Sequence, residues 1–225
     1  YSSFPTLFAA RLLSIPVIVH ESDTIAGRTT SWAGKFASRV AISYPEAAQY
    51  FDTSKTALTG QPIRDKLLPE NDFKREYPTK ERPVILVLGG SQGSQKINDA
   101  IVEAVPVLLE KYDIVHQTGS LNSEEVKKIM TEKLKDHPLK EHYYSEGFLD
   151  MSLFYPKVDF VITRAGSSMF EMALWKLPML IIPIPKTISR DQMGNAYAFA
   201  SRGLGSVLEE DNLQEAIIAR EVDRI

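Results

Sequence analysis

Residues 158–195 place two apolar runs on either side of a turn of small residues and a short helical stretch. The first run, 160–162, ends at Arg164, and the second, 179–184, is bracketed by prolines. The spacing predicts a helix over residues 169–175 between them. Strand, tight turn, helix and strand in this order form a βαβ unit, which builds parallel sheets. This stretch therefore constrains the chain to an α/β fold.

The composition excludes several classes of protein. The 225 residues are 44% hydrophobic and 24% charged, as in a globular protein of one large or two modest domains. A net charge of −3 argues against a nucleic-acid partner, and the absence of cysteine excludes disulfides. No apolar run approaches the roughly 20 residues of a membrane-spanning helix. Because the chain opens on a helical pattern without an initiator Met, we expect it to be a piece of a longer protein.

Strand and helix patterns alternate along the whole chain, with one interruption. Residues 66–82 are rich in charge and proline and have no clear apolar period, which is typical of a linker. A fresh apolar strand pattern starts at residue 83. The sequence therefore predicts a domain over 1–65, a linker over 66–82 and a second domain over 83–225.

A glycine-rich loop follows the first strand of the predicted second domain. The segment GGSQGS, residues 89–94, lies between this strand and an amphipathic helix. Its glycines permit a close backbone approach by a ligand, and Ser91 and Gln92 can donate hydrogen bonds to oxygens. It matches neither the dinucleotide fingerprint nor the P-loop. A plain strand-to-helix turn has the same composition, so the loop alone does not establish a site.

The turn after the strand 160–162 is the more specific signal. Gly166 and Ser167 offer backbone N–H groups at a helix N-terminus, where an anion is favoured, and Arg164 stands at the strand end. Glu171 follows about one turn into the helix, where a carboxylate can accept hydrogen bonds from two neighbouring hydroxyls. Taken singly, Arg164 and Glu171 also suit ordinary surface positions. Together they predict a nucleoside-diphosphate site.

Two amides and one further loop are expected at the same edge of the sheet. Gln192 and Asn195 are three residues apart on one helix face, so both can reach one ligand, although capped helices also carry solvated amides there. The segment HQTG, residues 116–119, closes another strand. Ligands of open α/β sheets bind beyond the carboxyl ends of the strands, where all these motifs should lie.

The predicted first domain contributes fewer candidates. His20 and Asp23 follow one strand, and Arg64 follows another in GQPIR. A lone histidine at a strand end is more often structural than catalytic, whereas the planar guanidinium of Arg64 suits a pyrophosphate. The four histidines are scattered and no Asp-x-Asp pair occurs, so neither a metal nor another cofactor is predicted.

Eight segments match one known family in order along nearly the whole chain: FPTLFAARLLSIPVIVHESDTIAG, SRVAISYPEAAQYF, LTGQPIR, VLGGSQGSQKIND, HQTG, GFLDM, TRAGSSMFEMALWKLPMLIIPIP and DQMGNA. The chain thereby resembles the MurG family of glycosyltransferases (family 28). These enzymes transfer N-acetylglucosamine from UDP-GlcNAc to lipid I in bacterial peptidoglycan synthesis. HESD, TGQPIR, GGSQGS and HQTG together are the segments most specific to that family.

The resemblance implies a GT-B fold, in which two Rossmann-like domains with parallel sheets face each other across a cleft. It implies an inverting, metal-free transfer to the 4-hydroxyl of the muramoyl sugar of lipid I, at the cytoplasmic face of the cell membrane. The second domain would hold UDP-GlcNAc and the first the lipid acceptor, with Asp23 on the acceptor side. The implied donor-binding residues are Arg64, Ser91, Gln92, Phe148, Arg164, Gly166, Ser167, Glu171, Gln192 and Asn195.

Three departures qualify this expectation. The family's glycine-rich loop with the proposed base would precede Tyr1, so no catalytic residue is assigned. The family's C-terminal helix is expected to continue beyond Ile225. The turn between Arg164 and Glu171 is shorter than the family pattern, which leaves the register of Glu171 open. The piece alone is therefore expected to be inactive.

Two other functions remain open on the sequence. One is a different GT-B enzyme, such as a lipid glucosyltransferase or a UDP-GlcNAc 2-epimerase; the other is a non-catalytic UDP-sugar-binding module. Peripheral membrane contact through a basic and apolar face is a further hypothesis. A domain core with a charged rim has the same pattern, which comprises Phe4, Leu7, Phe8, Arg11, Leu12, Arg28, Trp32 and Lys35.

Overall fold

A computed structural model of the protein describes residues 3–69, 82–90, 93–189 and 191–224. The helices are α1 Ser3–Leu12, α2 Arg28–Gly34, α3 Gln95–Leu108, α4 Ser123–Lys133, α5 Met151–Phe154, α6 Ser168–Leu174, α7 Gln192–Ala200 and α8 Glu215–Arg224. The strands are β1 Ile18–Glu21, β2 Arg39–Ile42, β3 Thr56–Leu58, β4 Val84–Leu88, β5 Asp113–Gln117, β6 Tyr143–Glu146, β7 Phe160–Thr163, β8 Met179–Ile181 and β9 Gly205–Val207. Short 3₁₀ helices include Pro45–Tyr50 and Asp65–Leu67.

The strands form two sheets, and every strand pair in them is parallel. The first sheet has the order β1-β2-β3, and the second has the order β6-β5-β4-β7-β8-β9. In the second sheet the chain runs outward from β4 to β6, returns to pair β7 with β4 on its other side, and then runs outward again. This is the doubly wound Rossmann order. The predicted α/β class with parallel sheets is confirmed.

Strand β4 explains why helices cover both faces of the larger sheet. All five of its residues are buried, so the strand has no polar face to offer to water. Ile85 and Val87 pack into a cluster with α3, α4 and α8, whereas Leu86 and Leu88 pack into a second cluster with α6 and α7. A central parallel strand must be apolar on both sides in this way.

The smaller sheet packs its buried residues against α1 and α2. Val19, Val40 and Ile42 form a cluster there with Ala33 of α2. Two residues from this part of the chain, Tyr44 and Leu67, instead belong to the second core cluster of the larger sheet. The two sheets are therefore joined by a shared apolar core.

The structure refines the sequence expectations at two places. The helix α5 was not predicted, because four residues are too few to show a helical period. Leu67 falls within the predicted linker yet is completely buried, and Trp175 Nε1 donates to its carbonyl oxygen at 2.8 Å. The division into domains at 1–65 and 83–225 remains a prediction. Within the described ranges, no helix is both long and apolar enough to cross a bilayer.

His116 lies on β5 of the larger sheet and is completely buried. Its Nε2 is 3.1 Å from Asn98 Oδ1, and its Nδ1 is 3.0 Å from the Tyr143 hydroxyl. Asn98 donates its own amide to Thr118 O, so its Oδ1 must accept and His116 Nε2 must carry the proton. Burial lowers the pKa of His116 to about 3, so the imidazole stays neutral in the fold.

We predict that His116 makes the protein sensitive to acid. The unfolded chain takes up a proton on this residue below pH about 6.5, whereas the folded protein resists doing so until pH about 3. Its contribution to stability is therefore complete above pH 6.5 and is lost as the pH falls towards 3. The loss is at most about 1.4 kcal/mol per pH unit. Urea unfolding between pH 7.5 and 4 should show a shallower pH dependence for His116→Gln than for the wild type.

Ile114→Val, on the same strand β5, is the matched control, since Ile114 is buried but does not titrate. It should lower the free energy of unfolding by about 1 kcal/mol at every pH. Equal pH slopes in the wild type and His116→Gln would contradict the prediction.

Candidate functional site

An open cleft of about 630 Å³ lies beyond the carboxyl ends of β4, β5 and β7. This is where the strand order of the larger sheet reverses, and ligands of doubly wound sheets bind at such switch points. Most of the predicted site residues are brought together here. Those that line the cleft are Arg64, Phe148, Arg164, Gly166, Ser167, Glu171 and Gln192.

Glu171 stands in the first turn of α6 with its carboxylate at the cleft wall. Its Oε2 accepts a hydrogen bond from the Tyr155 hydroxyl at 2.9 Å, and its Oε1 lies 4.0 Å from a terminal nitrogen of Arg64. The side chain is 18% exposed, so it is held from behind while one edge faces the open space. A carboxylate in this position can accept hydrogen bonds from a ligand's hydroxyl groups.

Arg64 and Lys66 place two positive charges at one side of the cleft. Arg64 precedes the 3₁₀ helix that contains Lys66, and the hydrogen bond from Trp175 to Leu67 O fixes that helix against the larger sheet. Lys66 Nζ lies 3.4 Å from both carboxylate oxygens of Asp150. The Arg64 side chain is 65% exposed, so it remains accessible to an anion in the cleft.

The glycine loop after β4 supplies backbone to the cleft. Gly90 and Gly93 have φ angles of 91° and 81°, a left-handed conformation that favours glycine. A Cβ on Gly93 would lie 2.2 Å from Thr118 O, so the loop can pack against the end of β5 only without a side chain there. The predicted donors Ser91 and Gln92 lie outside the described residues.

Arg164 is held by several contacts within the protein. It lines the cleft, but its guanidinium donates to Ser94 Oγ and to the carbonyl oxygen of Ile182, and it forms an ion pair with Glu210. Its side chain is only 11% exposed. Since Ser94 caps α3, Arg164 helps to fix the start of that helix, and its contact with a phosphate stays a prediction.

Glu210 is the buried counter-charge of Arg164. Its side chain is 3% exposed and also pairs with Lys96 at 2.8 Å. Burial raises the pKa of Glu210, but the hydrogen bonds from Lys96 and Arg164 outweigh it and leave the pKa below its ordinary value. The carboxylate is therefore ionised, and the pair is a fixed structural element.

The two predicted amide side chains, Gln192 and Asn195, lie in different environments. Gln192 lines the cleft, and its Oε1 accepts a hydrogen bond from Ile184 N at 3.1 Å. Asn195 is 1% exposed and does not line the cleft. Its Nδ2 donates to Asp23 Oδ1 at 2.7 Å, and its Oδ1 accepts from Thr24 N at 2.9 Å. Its amide therefore joins the two sheets, and contact between Asn195 and the ligand stays a prediction.

Asp23 lies at that junction, whereas the contacts of His20 are with residues near the smaller sheet. Asp23 and Thr24 belong to a loop closed by Glu21, whose carboxylate accepts from the backbone N–H groups of Asp23 and Gly27. His20 Nε2 is 3.1 Å from both Gly60 O and Ser43 Oγ. These contacts support the structural interpretation of His20.

Phe148 stands at the mouth of the cleft and is 70% exposed, so its ring can stack on a flat ligand. The loop that carries it is fixed by a hydrogen bond from Leu149 N to Gln117 Oε1 at 2.9 Å. Gln117, from the HQTG segment, also lines the cleft, whereas its neighbour His116 is buried in the sheet.

Comparison with known families identifies the chain. The C-terminal domain of glycosyltransferase family 28 matches residues 84–225, and the N-terminal domain of the same family matches residues 1–42. The chain belongs to glycosyltransferase family 28.

A relative from Bacillus cereus is 35% identical over 234 residues, which cover 100% of this chain and 63% of the relative. It is named UDP-N-acetylglucosamine–N-acetylmuramyl-(pentapeptide) pyrophosphoryl-undecaprenol N-acetylglucosamine transferase 2. The family 28 chain thus spans less than two thirds of this relative's length.

Two solved structures share the fold. A crystal structure of Acinetobacter baumannii MurG is 24% identical with a TM-score of 0.74, covering 100% of this chain and 62% of that one. A Methanocaldococcus jannaschii UDP-GlcNAc 2-epimerase, solved with UDP-GlcNAc and UDP, is 11% identical with a TM-score of 0.59, covering 98% and 65%. These likenesses support the predicted GT-B arrangement of parallel sheets.

Sequence reasoning did not name three residues that line the cleft, Lys66, Gln117 and Tyr155, or the ion-pair partner of Arg164, Glu210. Gln117 was within the HQTG segment, and its position at the end of a strand pointed to the cleft. Lys66 and Tyr155 stand in segments without a recognisable motif. Glu210 gave no signal, because its partner Arg164 is 46 positions away (210 − 164).

We predict that Gly194 is required by the junction between the sheets. A Cβ on Gly194 would lie 2.3 Å from Thr24 Oγ1, so Gly194→Ala should lower the free energy of unfolding by about 1–3 kcal/mol. Without that clash, alanine would stabilise α7 by up to about 1 kcal/mol. Thermal and urea unfolding measure the change.

The Thr24→Ala background is the matched control. Thr24 Oγ1 is buried and has no hydrogen-bond partner within the described part of the chain, so its removal should cost little. In that background Gly194→Ala should be neutral or stabilising. An equal loss in both backgrounds would contradict the docking of Thr24 on Gly194.

Proposed function

We propose that the chain is the donor-binding part, with some of the acceptor side, of a transferase that makes lipid II. The enzyme moves N-acetylglucosamine from UDP-GlcNAc to the 4-hydroxyl of the muramoyl sugar of lipid I, with inversion. The observation that carries the proposal is the cleft at the switch point, where Glu171 and Arg64 face one ligand-sized space. Family membership and the printed name of the Bacillus cereus relative support it.

In this proposal, different residues that line the cleft contact the uracil, ribose, diphosphate and sugar of UDP-GlcNAc. Glu171 accepts the ribose hydroxyls, and Phe148 stacks against the uracil ring. Gln192 contacts the sugar, and the backbone around Gly166 and Ser167 faces the diphosphate. Ser91 and Gln92, which lie outside the described residues, are proposed to flank the diphosphate and the sugar.

During the transfer the diphosphate is the group that gains negative charge. The acceptor oxygen forms a bond to the anomeric carbon while the bond from that carbon to the UDP oxygen breaks, so negative charge develops on the departing diphosphate. Arg64 and Lys66 stand on this side of the cleft and stabilise that charge. The guanidinium of Arg64 can hold two phosphate oxygens at once. The base that takes the acceptor proton is not assigned to a residue of this chain.

The two parts of the chain have separate roles in this proposal. Residues 83–225 bind the donor, while residues 1–65 belong to the acceptor side, with the loop of Asp23 facing the lipid-linked substrate. The acceptor places the enzyme at the cytoplasmic face of the membrane as a peripheral protein. Exposed apolar side chains on α1 support membrane contact: Phe4, Phe8 and Leu12 are 45%, 47% and 68% exposed beside Arg11.

A UDP-GlcNAc 2-epimerase is the alternative that the fold comparison supports, because such an enzyme shares the architecture. An epimerase needs acid and base groups around the sugar. Within the described residues, no histidine lines the cleft, and both lining carboxylates, Asp150 and Glu171, already accept hydrogen bonds. These observations favour the transferase. Release of UDP from UDP-GlcNAc without a lipid acceptor would favour the epimerase.

We predict that calorimetric titration will show binding of UDP-GlcNAc in preference to UDP-glucose. Glu171→Ala should weaken binding of UDP-GlcNAc and of UDP by about tenfold or more, because hydrogen bonds to a charged acceptor are lost. Glu132→Ala, which removes an exposed carboxylate of α4 away from the cleft, is the matched control and should bind as the wild type does.

Each other outcome has a clear meaning. Equal weak binding of UDP-GlcNAc, UDP-glucose and UDP would indicate a general nucleotide site. A folded wild-type protein that binds none of them, as judged by a thermal melt of the same sample, would overturn the proposal. If a longer protein that includes the missing family segments binds the donor but never transfers to lipid I, a non-catalytic UDP-sugar-binding module is the better interpretation.

A further inference from the structure

Tyr155 is a buried tyrosine behind the cleft whose hydroxyl contacts the carboxylate that faces the ligand space. The residue follows α5 and is completely buried. Its hydroxyl donates to Glu171 Oε2 at 2.9 Å. Burial raises the pKa of Tyr155, and the negative charge of Glu171 raises it further, so the hydroxyl stays protonated and acts as a donor.

The tyrosine ring is fixed by its surroundings. It belongs to the second core cluster, with its centroid 6.4 Å from that of the Trp175 ring. Trp175 is itself 6% exposed and held by its hydrogen bond to Leu67 O. Because packed interiors leave buried rings little room to move, the hydroxyl presents a fixed point to Glu171.

The hydrogen bond from Tyr155 fixes the orientation of the Glu171 carboxylate in the cleft. A glutamate has three side-chain torsions, and an unrestrained one must lose that freedom when it binds a ligand. With Oε2 held by Tyr155, Oε1 points towards Arg64 and the open space. Both oxygens keep further lone pairs, so the carboxylate can accept hydrogen bonds from two neighbouring hydroxyls without reorienting.

We propose that Tyr155 is a positioning residue that preorganises Glu171 to recognise the vicinal hydroxyls of a ribose. The selectivity of the cleft for a ribonucleoside diphosphate over its 2′,3′-dideoxy counterpart then depends on the Tyr155 hydroxyl, which acts through Glu171. This rests on the proposed function of the cleft as a uridine-diphosphate site. A tyrosine that only fills the core would support the two nucleotides equally.

The test compares the dissociation constants of UDP and 2′,3′-dideoxy-UDP, measured by calorimetry on the wild type and on Tyr155→Phe. The wild type should prefer UDP. The variant keeps the ring but loses the hydroxyl, so it should bind UDP about tenfold more weakly while its affinity for the dideoxy nucleotide stays the same. The ratio of the two constants should therefore collapse towards one.

Tyr143→Phe is the matched control, because Tyr143 also donates its hydroxyl inside the fold, to His116 Nδ1. It should leave the ratio unchanged. A Tyr155→Phe protein that keeps the wild-type ratio, or weakens both nucleotides equally, overturns the positioning role.

A second variant keeps the proposal testable if Tyr155→Phe does not fold, which thermal melting would reveal. Glu171→Asp leaves Tyr155 in place but shortens the carboxylate arm, so it cannot reach the hydroxyl and the ligand together. It should also reduce the preference for UDP, and a full wild-type preference in this variant overturns the proposal. If the wild type binds both nucleotides equally, ribose recognition by Glu171 fails, and the role of Tyr155 fails with it. A wild-type preference that survives in Tyr155→Phe overturns the role of Tyr155 alone.

Discussion

The reversal of strand order at β4 is the constraint on which the cleft depends. Crossovers between parallel strands are right-handed, so the connections that leave β4 and β7 pack on opposite faces of the sheet. The loops that follow these two strands consequently diverge and leave a gap above the sheet. After β4, Gly89 and Ser94 approach each other so closely that a Cβ on Gly89 would stand 2.6 Å from Ser94 N. The backbone of these glycines therefore lines the cleft, together with side chains from elements before and after β4.

The walls come from both sheets, so the junction between the sheets decides their geometry. Tyr44, from the part of the chain with the smaller sheet, packs edge-on against Phe170 and Phe199 of the larger one. Polar contacts surround this aromatic centre: Asn195 holds the loop of Thr24, and Trp175 holds Leu67. The last of these contacts brings Arg64 to the cleft. A residue that follows β3 thus serves a site at the edge of the larger sheet.

Patterns in the sequence predicted the features that depend on residues close together in the chain. The apolar run of β4 indicates a central strand, and the small residues before α6 indicate a tight turn, so the cleft was predictable although the exact register of Glu171 was not. Asn195 and Arg164 were less predictable, because both suit a ligand by type and by place. Their partners are distant in sequence: Asp23 is 172 positions from Asn195, and Glu210 is 46 from Arg164 (210 − 164). Periodicity carries no information about such contacts. Tyr155 was missed for the same reason, since only the fold places its hydroxyl beside Glu171.

The two arginines at the cleft illustrate how burial assigns a role that residue type leaves open. Arg64 is 65% exposed and 4.0 Å from Glu171, a separation at which an ion pair contributes at most about 1 kcal/mol. An incoming diphosphate can replace that partner at little cost. Withdrawing Arg164 from Glu210 would instead leave a carboxylate that is 3% exposed with Lys96 as its one remaining ion-pair partner among the described residues. Breaking a buried pair costs about 3–5 kcal/mol, more than a single phosphate contact returns. These costs favour a structural role for Arg164 and support the proposal that Arg64 binds the ligand.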